Sequence, residues 1–338
     1  MNEMTQALSL IRKHVKLPLG KNCHFKQNDF FWLLALMNTL NTFAEGVSNA
    51  FRTTLPQADD LFHHLKKMTA TDVQTQFNAV IKENIRRARR QGLLGKPAWL
   101  AVDVTGDPYY GKPNAFTRGG EKKAGTHWFY QYLTAAVVQD GQRFVISVLP
   151  FTPLDAIEDV LAEALIECQR LVRIECLLLD KGFFTANVVR LLESKRLEYV
   201  MPAILNKRIA KLKKAASVFP VTLETELNGV PIRLVFVREG EDVLAFCTNR
   251  LCWSKKLAEY YGWRWGIETG FRVTDGVQAR TCSRSVVVRL FIAYFAVAFY
   301  NGLQLAKALV SRGKTPIALA LRLFVLMQVF AMAGWSPP

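Results

Sequence analysis

Three carboxylates stand out for where they fall in the chain. Asp103 lies in AWLAVDVTG with apolar Leu100, Val102 and Val104 around it, so it projects from a strand rather than from a loop. Asp180 closes a second apolar stretch, IECLLLD, immediately before Lys181-Gly182. Glu268 lies in YYGWRWGIETGFR, residues 260–272, framed by arginines and aromatic rings. A buried carboxylate is costly unless it meets cations or donors. A turn or cap role accounts for either aspartate alone, but less readily for both together with Glu268. Three such groups converging would make a hard, oxygen-rich site suited to magnesium or manganese. Two ions about 3.5–4 Å apart can activate an attacking oxygen and stabilise the leaving oxygen of a phosphodiester.

The third carboxylate also has a helical context. At about 100° per residue, Tyr261, Arg264, Glu268, Arg272 and Asp275 crowd within about 80° of one face. Trp263, Ile267 and Phe271 form an adjoining apolar face. Gly266 and Gly270 each cost about 1 kcal/mol relative to alanine in a helix interior, so close packing or close ligand approach must favour this helix. Glu268 either pairs with Arg264 or Arg272 at i±4 spacing or serves the metal chemistry above. The rings either pack a core or stack on unpaired bases.

A chain of 338 residues accommodates two domains or one large core with an appendage. Half of its residues are apolar and 21% are charged, which excludes a disordered chain. With 44 Lys+Arg against 28 Asp+Glu, the net charge of +16 points to a polyanionic partner, with nucleic acid ahead of a membrane surface. The run LFIAYFAVAFYNGLQLA, residues 290–306, carries Asn301 and Gln304 and falls short of the roughly 20 apolar residues of a span. It reads as a buried helix, with no membrane partner expected. The N-terminal segment lacks a secretory apolar run, and six scattered cysteines argue for reduced thiols, so a cytoplasmic, nucleoid-associated protein is expected.

The elements that must position these groups follow from periodicity. Residues 1–95 read as a helical domain, including DFFWLLALMNTLNTF and a helix from Thr71-Asp72 to Gly92 that closes with Arg86, Arg87, Arg89 and Arg90. That cluster serves either the helix dipole or phosphate contact. Strand-like segments follow at 98–106, 127–139 and 143–151, the last two joined at Asp140-Gly141. Helix, strand, helix and strand then run to residue 204. The order predicts an α/β fold, a ribonuclease-H-like mixed sheet over 96–204. It is interrupted by a small antiparallel β insertion at 205–253 and completed by helices at 254–310, with a C-terminal helical segment at 311–338. The basic stretch GKPNAFTRGGEKKAGTH, residues 111–127, reads as a long loop in which Arg118, Lys122 and Lys123 either stay solvated or contact DNA.

On these residues the chain resembles the DDE transposases of prokaryotic insertion sequences, in the branch with a Tyr-Arg-Glu-Lys signature and a β insertion in the ribonuclease-H-like core. Asp103, Asp180 and Glu268 come in the family's order, and Y-G-W-R-W-G-I-E matches its Tyr-(2)-Arg-(3)-Glu spacing. The resemblance covers roughly 95–310. It implies that Asp103, Asp180 and Glu268 hold two magnesium or manganese ions, and that Tyr261 and Arg264 contact DNA near the cleaved end. It implies double-stranded DNA partners, namely terminal inverted repeats and target, with a homodimer in the synaptic complex. The activity implied is metal-dependent phosphodiester hydrolysis followed by strand transfer. Its rivals are a nuclease of the same fold that does not join strands and a non-catalytic DNA-binding or membrane-surface derivative. The signature lysine is replaced by Asp275, whose carboxylate repels the phosphate that an ammonium would attract. Arg272, on the same face, can take over that contact.

Overall fold

The computed structural model describes residues 3–51, 54–94, 96–138, 143–215, 218–251, 256–264 and 279–310. Contacts divide the chain into two compact units, Leu93–Glu268 and a second made of Met1–Gly92 with Thr269–Pro338.

The helical unit begins with α1 (Glu3–His14), α2 (Gln27–Leu40), α3 (Ala44–Ala50), α4 (Ala58–Leu65) and α5 (Ala70–Arg90). Helix α5 starts at Thr69, upstream of the pair read from sequence. Thr69 Oγ1 accepts from the Asp72 N–H at 3.0 Å, and the Asp72 carboxylate accepts from the Thr69 N–H at 2.9 Å, a reciprocal capping box. Its buried face carries Val73, Phe77, Val80, Ile81, Ile85 and Ala88, the 3.6-residue period of an amphipathic helix.

The α/β unit holds β1 (Ala98–Tyr109), β2 (Thr117–Lys123), β3 (Thr126–Val137), β4 (Phe144–Pro150), α6 (Ile157–Leu171), β5 (Ile174–Leu179), α7 (Ala186–Ser194) and β6 (Tyr199–Pro202). It continues with α8 (Lys207–Ala215), β7 (Val221–Leu227), β8 (Val230–Glu239), β9 (Asp242–Thr248) and α9 (Leu257–Gly262). Among the described residues the strands form one nine-stranded sheet in the order β2-β3-β1-β5-β6-β9-β8-β7, with β4 also pairing β3. Strand β3 lies antiparallel to β1, whereas β5 is parallel to β1 and β6 parallel to β5. This is the ribonuclease-H-like mixed sheet expected from the sequence.

The expected antiparallel β insertion is present as β7, β8 and β9, between β6 and α9 in the chain. β9 pairs antiparallel with β6 through Val200↔Thr248, Met201↔Cys247 and Pro202↔Phe246, so the ribbon extends the sheet. The reason is the backbone of β6, whose second edge needs hydrogen-bond partners. One other expectation needs correction: the stretch 111–127 is not a long loop, because β2 pairs with the first half of β3 and turns back at Ala124 and Gly125, both at positive φ. The turn between β7 and β8 uses Asn228 and Gly229, again both at positive φ, as a two-residue hairpin requires. The Asp140-Gly141 turn lies outside the described residues.

Helix α10 (Val286–Val310) belongs by its contacts to the helical unit and packs on α1 and α5. It is long and apolar enough to cross a membrane, yet 83% of its most apolar window is buried within the protein. Phe291, Phe295 and Phe299 stack along it, all fully buried. A Cβ on Gly302 would come within 2.7 Å of the Ala7 Cα, so close approach of α10 to α1 demands glycine there.

Candidate active site

Strand β1 is covered on both faces from Ala98 to Val102, and Asp103 is the first residue beyond that buried run. Strand β5 is buried over its last four residues, Cys176 to Leu179, and Asp180 follows at once. The parallel register pairs Ala101 with Leu178 and Val102 with Leu179. Carried one residue further, it sets Asp103 beside Asp180 at neighbouring strand ends. Paired residues in adjacent strands share a face, so both carboxylates stand on the face that also carries Trp99 and Ala101. The carboxyl ends of parallel strands are where open α/β sheets bind ligands.

Helix α9 is anchored to that face by aromatic packing. Trp99 meets Tyr260 at 4.9 Å and Trp263 at 5.2 Å between ring centroids, and Phe246 of β9 meets Tyr261 at 5.1 Å. Trp263 is therefore a packing residue, one of the two readings open from its sequence. Arg250 locks the cluster from its far side. Its guanidinium lies 4.9 Å from the Trp99 ring centre and pairs with Glu175 at 3.0 Å and with Glu198. Sequence reasoning missed Arg250, although a basic residue just beyond a strand rich in buried apolar groups was its available signal.

Tyr261 and Arg264 reach the two aspartates from α9 and the turn after it. Arg264 is buried at 7% exposure, and its Nη2 lies 3.9 Å from Asp180 Oδ1, an ion pair too long for a direct hydrogen bond. Its guanidinium carbon lies 5.4 Å from the Tyr261 ring centre. Burial pushes the Tyr261 hydroxyl above the ordinary phenol range. Arg264, hydrogen-bonded to it, opposes that rise, while Asp180 and Asp103 add to it. The phenol thus stays protonated and senses both carboxylates, which puts Asp103, Asp180, Tyr261 and Arg264 in one electrostatic neighbourhood. One Asp103 oxygen accepts the Val104 N–H at 2.9 Å, which fixes the side chain against its own strand.

The donor set suits a hard divalent cation, since two carboxylates stand at neighbouring strand ends and Asp180 is 36% exposed to solvent. Among the described residues no group of three acidic, histidine or cysteine side chains closes around one point. The third proposed ligand, Glu268, together with Arg272 and Asp275, lies outside the described residues. Helix α9 ends at Gly262, and the described chain beyond it is the turn of Trp263 and Arg264.

The basic candidates on β2 separate. Lys122 and Lys123 are exposed on this edge strand. Arg118 is committed to its own unit: it donates to the carbonyls of Thr152 at 2.6 Å and Asp155 at 3.3 Å, and its guanidinium covers the Phe151 ring at 3.9 Å. These donors hold the segment after β4, so Arg118 has a structural role within its own unit.

Comparison with known proteins adds to this geometry. A search of curated proteins finds no significant match. A solved structure described as a piggyBac transposase synaptic complex with hairpin DNA superimposes with a TM-score of 0.63 at 13% identity, over 99% of this chain and 78% of that chain. At that identity the likeness is one of fold. A family model described as "Transposase DDE domain" matches residues 95–299, a segment that begins just before β1 and includes both aspartates. By that match over more than half of its length, the chain belongs to the DDE transposase-domain family.

Proposed function

We infer that this transposase is that of a prokaryotic insertion sequence, which binds its terminal inverted repeats, hydrolyses a phosphodiester to free a 3′ hydroxyl, and joins that hydroxyl to target DNA. The observation that carries the reading is the placement of Asp103 and Asp180 at adjacent strand ends under Tyr261 and Arg264. The neighbour solved with hairpin DNA and the charge of +16 support DNA as the partner. A homodimer on paired ends and a cytoplasmic, nucleoid-associated location complete the proposal.

Asp103, Asp180 and Glu268 are the proposed holders of magnesium or manganese. When bound, a pair of such ions supplies Lewis-acid activation of the attacking oxygen and neutralisation of the leaving one. The chain's own share is positioning and charge. The buried run before Asp103 fixes its direction, Arg264 offers a cation beside Asp180, and the Tyr261 hydroxyl remains a proton donor toward a phosphate oxygen. Lys122 and Lys123 extend a basic edge along which a DNA backbone can lie.

The test uses the full chain, magnesium, and DNA carrying the candidate terminal repeats, either intact or pre-cleaved. The reading expects metal-dependent nicking of intact ends and joined products from pre-cleaved ones. Nicking without joining would reduce the protein to a nuclease. Salt-sensitive binding without any metal-dependent product would make it a DNA-binding derivative.

A further inference from the structure

The register between β1 and β3 runs without a break from Leu100↔Val137 to Tyr109↔Trp128. Side chains alternate faces along a strand and paired residues share one, so Trp128 stands on the face that carries Asp103, about 20 Å further along β1. On that face Tyr109, Tyr130 and Tyr132 are buried, whereas Trp128 is 38% exposed. It pairs with Gly119 of β2, and a Cβ placed on Gly119 would lie 3.6 Å from the indole ring. The ring therefore lies beside a residue with no side chain, and Gly119 is itself exposed. Tyr110, directly after β1, is 70% exposed, yet its hydroxyl donates to the Ala124 carbonyl at the β2–β3 turn at 2.8 Å. That bond holds an open ring at the turn.

Aromatic rings gain most from burial, and exposed ones rimmed by polar groups mark interaction surfaces. Both rings offer a flat π face, whose sequence-tolerant complement is a nucleobase. The charge around them selects the same partner. Lys112, Lys122 and Lys123 are exposed, and Glu121 is the one carboxylate in the sequence between Asp107 and Asp140. Bases within a duplex stack on each other and present only their edges. An unpaired strand presents base faces to the rings and phosphates to the lysines, so it fits this surface where a duplex would use the lysines alone.

We propose that the β2–β3 hairpin, with Tyr110, is a stacking surface for an unpaired segment of DNA, its bases on Trp128 and Tyr110 and its phosphates at Lys122 and Lys123. Trp128 shares its sheet face with Asp103, so a strand held there can continue toward the aspartates. In taking DNA as the polyanion, the proposal rests on the proposed function.

The full-length protein is titrated by fluorescence anisotropy with labelled oligothymidine and with a blunt duplex carrying as many phosphates. Trp128→Leu should weaken oligothymidine binding about tenfold and leave the duplex affinity unchanged. Trp128→Phe, which keeps a π face, should retain most of the affinity, and Tyr110→Ser should cost less than Trp128→Leu. Changing both Lys122 and Lys123 to glutamine should lower the salt slope of oligothymidine binding by about one. Photocrosslinking of an iodouracil-bearing strand to the unmodified protein should place adducts at Trp128 or Tyr110, a readout that needs no variant to fold. Oligothymidine binding that survives Trp128→Leu overturns the proposal, as do equal losses on the two DNAs or adducts confined to other peptides. Loss of anionic-vesicle binding or of self-association in Trp128→Leu, with oligothymidine affinity intact, also overturns it and assigns the surface to a membrane or to a second copy. A protein that nicks DNA without strand binding through Trp128 loses this surface alone. One that binds the strand through Trp128 and never nicks loses the catalytic reading alone.

Discussion

Strands β1 and β7 belong to one sheet and both neighbour acidic residues, yet they use them in opposite ways. The first five residues of β1 are buried on both faces, and Asp103 follows. All seven residues of β7 alternate between half-buried and exposed, and its Glu224 and Glu226 point to solvent. A strand clamped from both sides delivers its next side chain to a fixed place, whereas a one-sided ribbon leaves its acids hydrated. The lesson is that the position of a carboxylate relative to a buried run, more than its presence, marks a site that can do chemistry.

The largest expected effect breaks this contrast at its chemical end. Asp103→Asn or Asp180→Asn should lower magnesium-dependent nicking by about 10³-fold with the fold intact. Glu224→Gln and Glu226→Gln should leave it within about twofold. Comparable losses at both places, measured as single-turnover rates, would erase the distinction. Next comes packing. Leu100→Ala, at a fully buried site of β1, should cost about 2–5 kcal/mol in denaturant unfolding. Leu223→Ala in β7, half-buried, should cost under about 1 kcal/mol, and similar costs would show that β1 is not specially clamped.

A smaller effect is expected at the cation. Arg264→Lys keeps the charge but loses the planar fork, and should slow nicking by about tenfold. Arg238→Lys, where the guanidinium covers Phe219 at the ribbon, should leave the rate unchanged. The smallest concerns Glu167 on α6, which accepts a short 2.5 Å hydrogen bond from the buried Ser147 hydroxyl of β4. Burial outweighs that bond and raises its carboxyl above the ordinary range. A group held more tightly protonated in the folded state contributes stability that is full below its unfolded pKa. That stability is lost as pH rises through the raised folded value. Glu167→Gln should therefore flatten the fall in thermal midpoint across that window, and an unaltered pH profile would contradict the assignment.

Much of this was legible in the residues because it is local. β-branched and aromatic runs mark β1, β3 and β4, Asn228-Gly229 marks a hairpin, and an aspartate at the end of an apolar run marks Asp103 and Asp180. Contacts between distant segments were not legible. Nothing near Thr248 announces that β9 will close on β6, and nothing in the apolar pattern of α10 says that Ala7 will pack on Gly302. Arg118 looked like a free basic side chain because its acceptors, the carbonyls of Thr152 and Asp155, are backbone groups that carry no sequence signal. The cap of α5 was read two residues late because Thr71-Asp72 itself looks like a cap, whereas Asp72 lies three residues after Thr69 and closes the box there.

The claim beneath the account is that Asp103 and Asp180 act together with Glu268 on one cation site. Calorimetric titration of manganese into the full-length protein and into Asp103→Asn, Asp180→Asn and Glu268→Gln tests it most directly. The account predicts that each single variant loses at least about tenfold in affinity, and that the double aspartate variant is no worse than the weaker single. Wild-type manganese affinity in the folded single variants would contradict it.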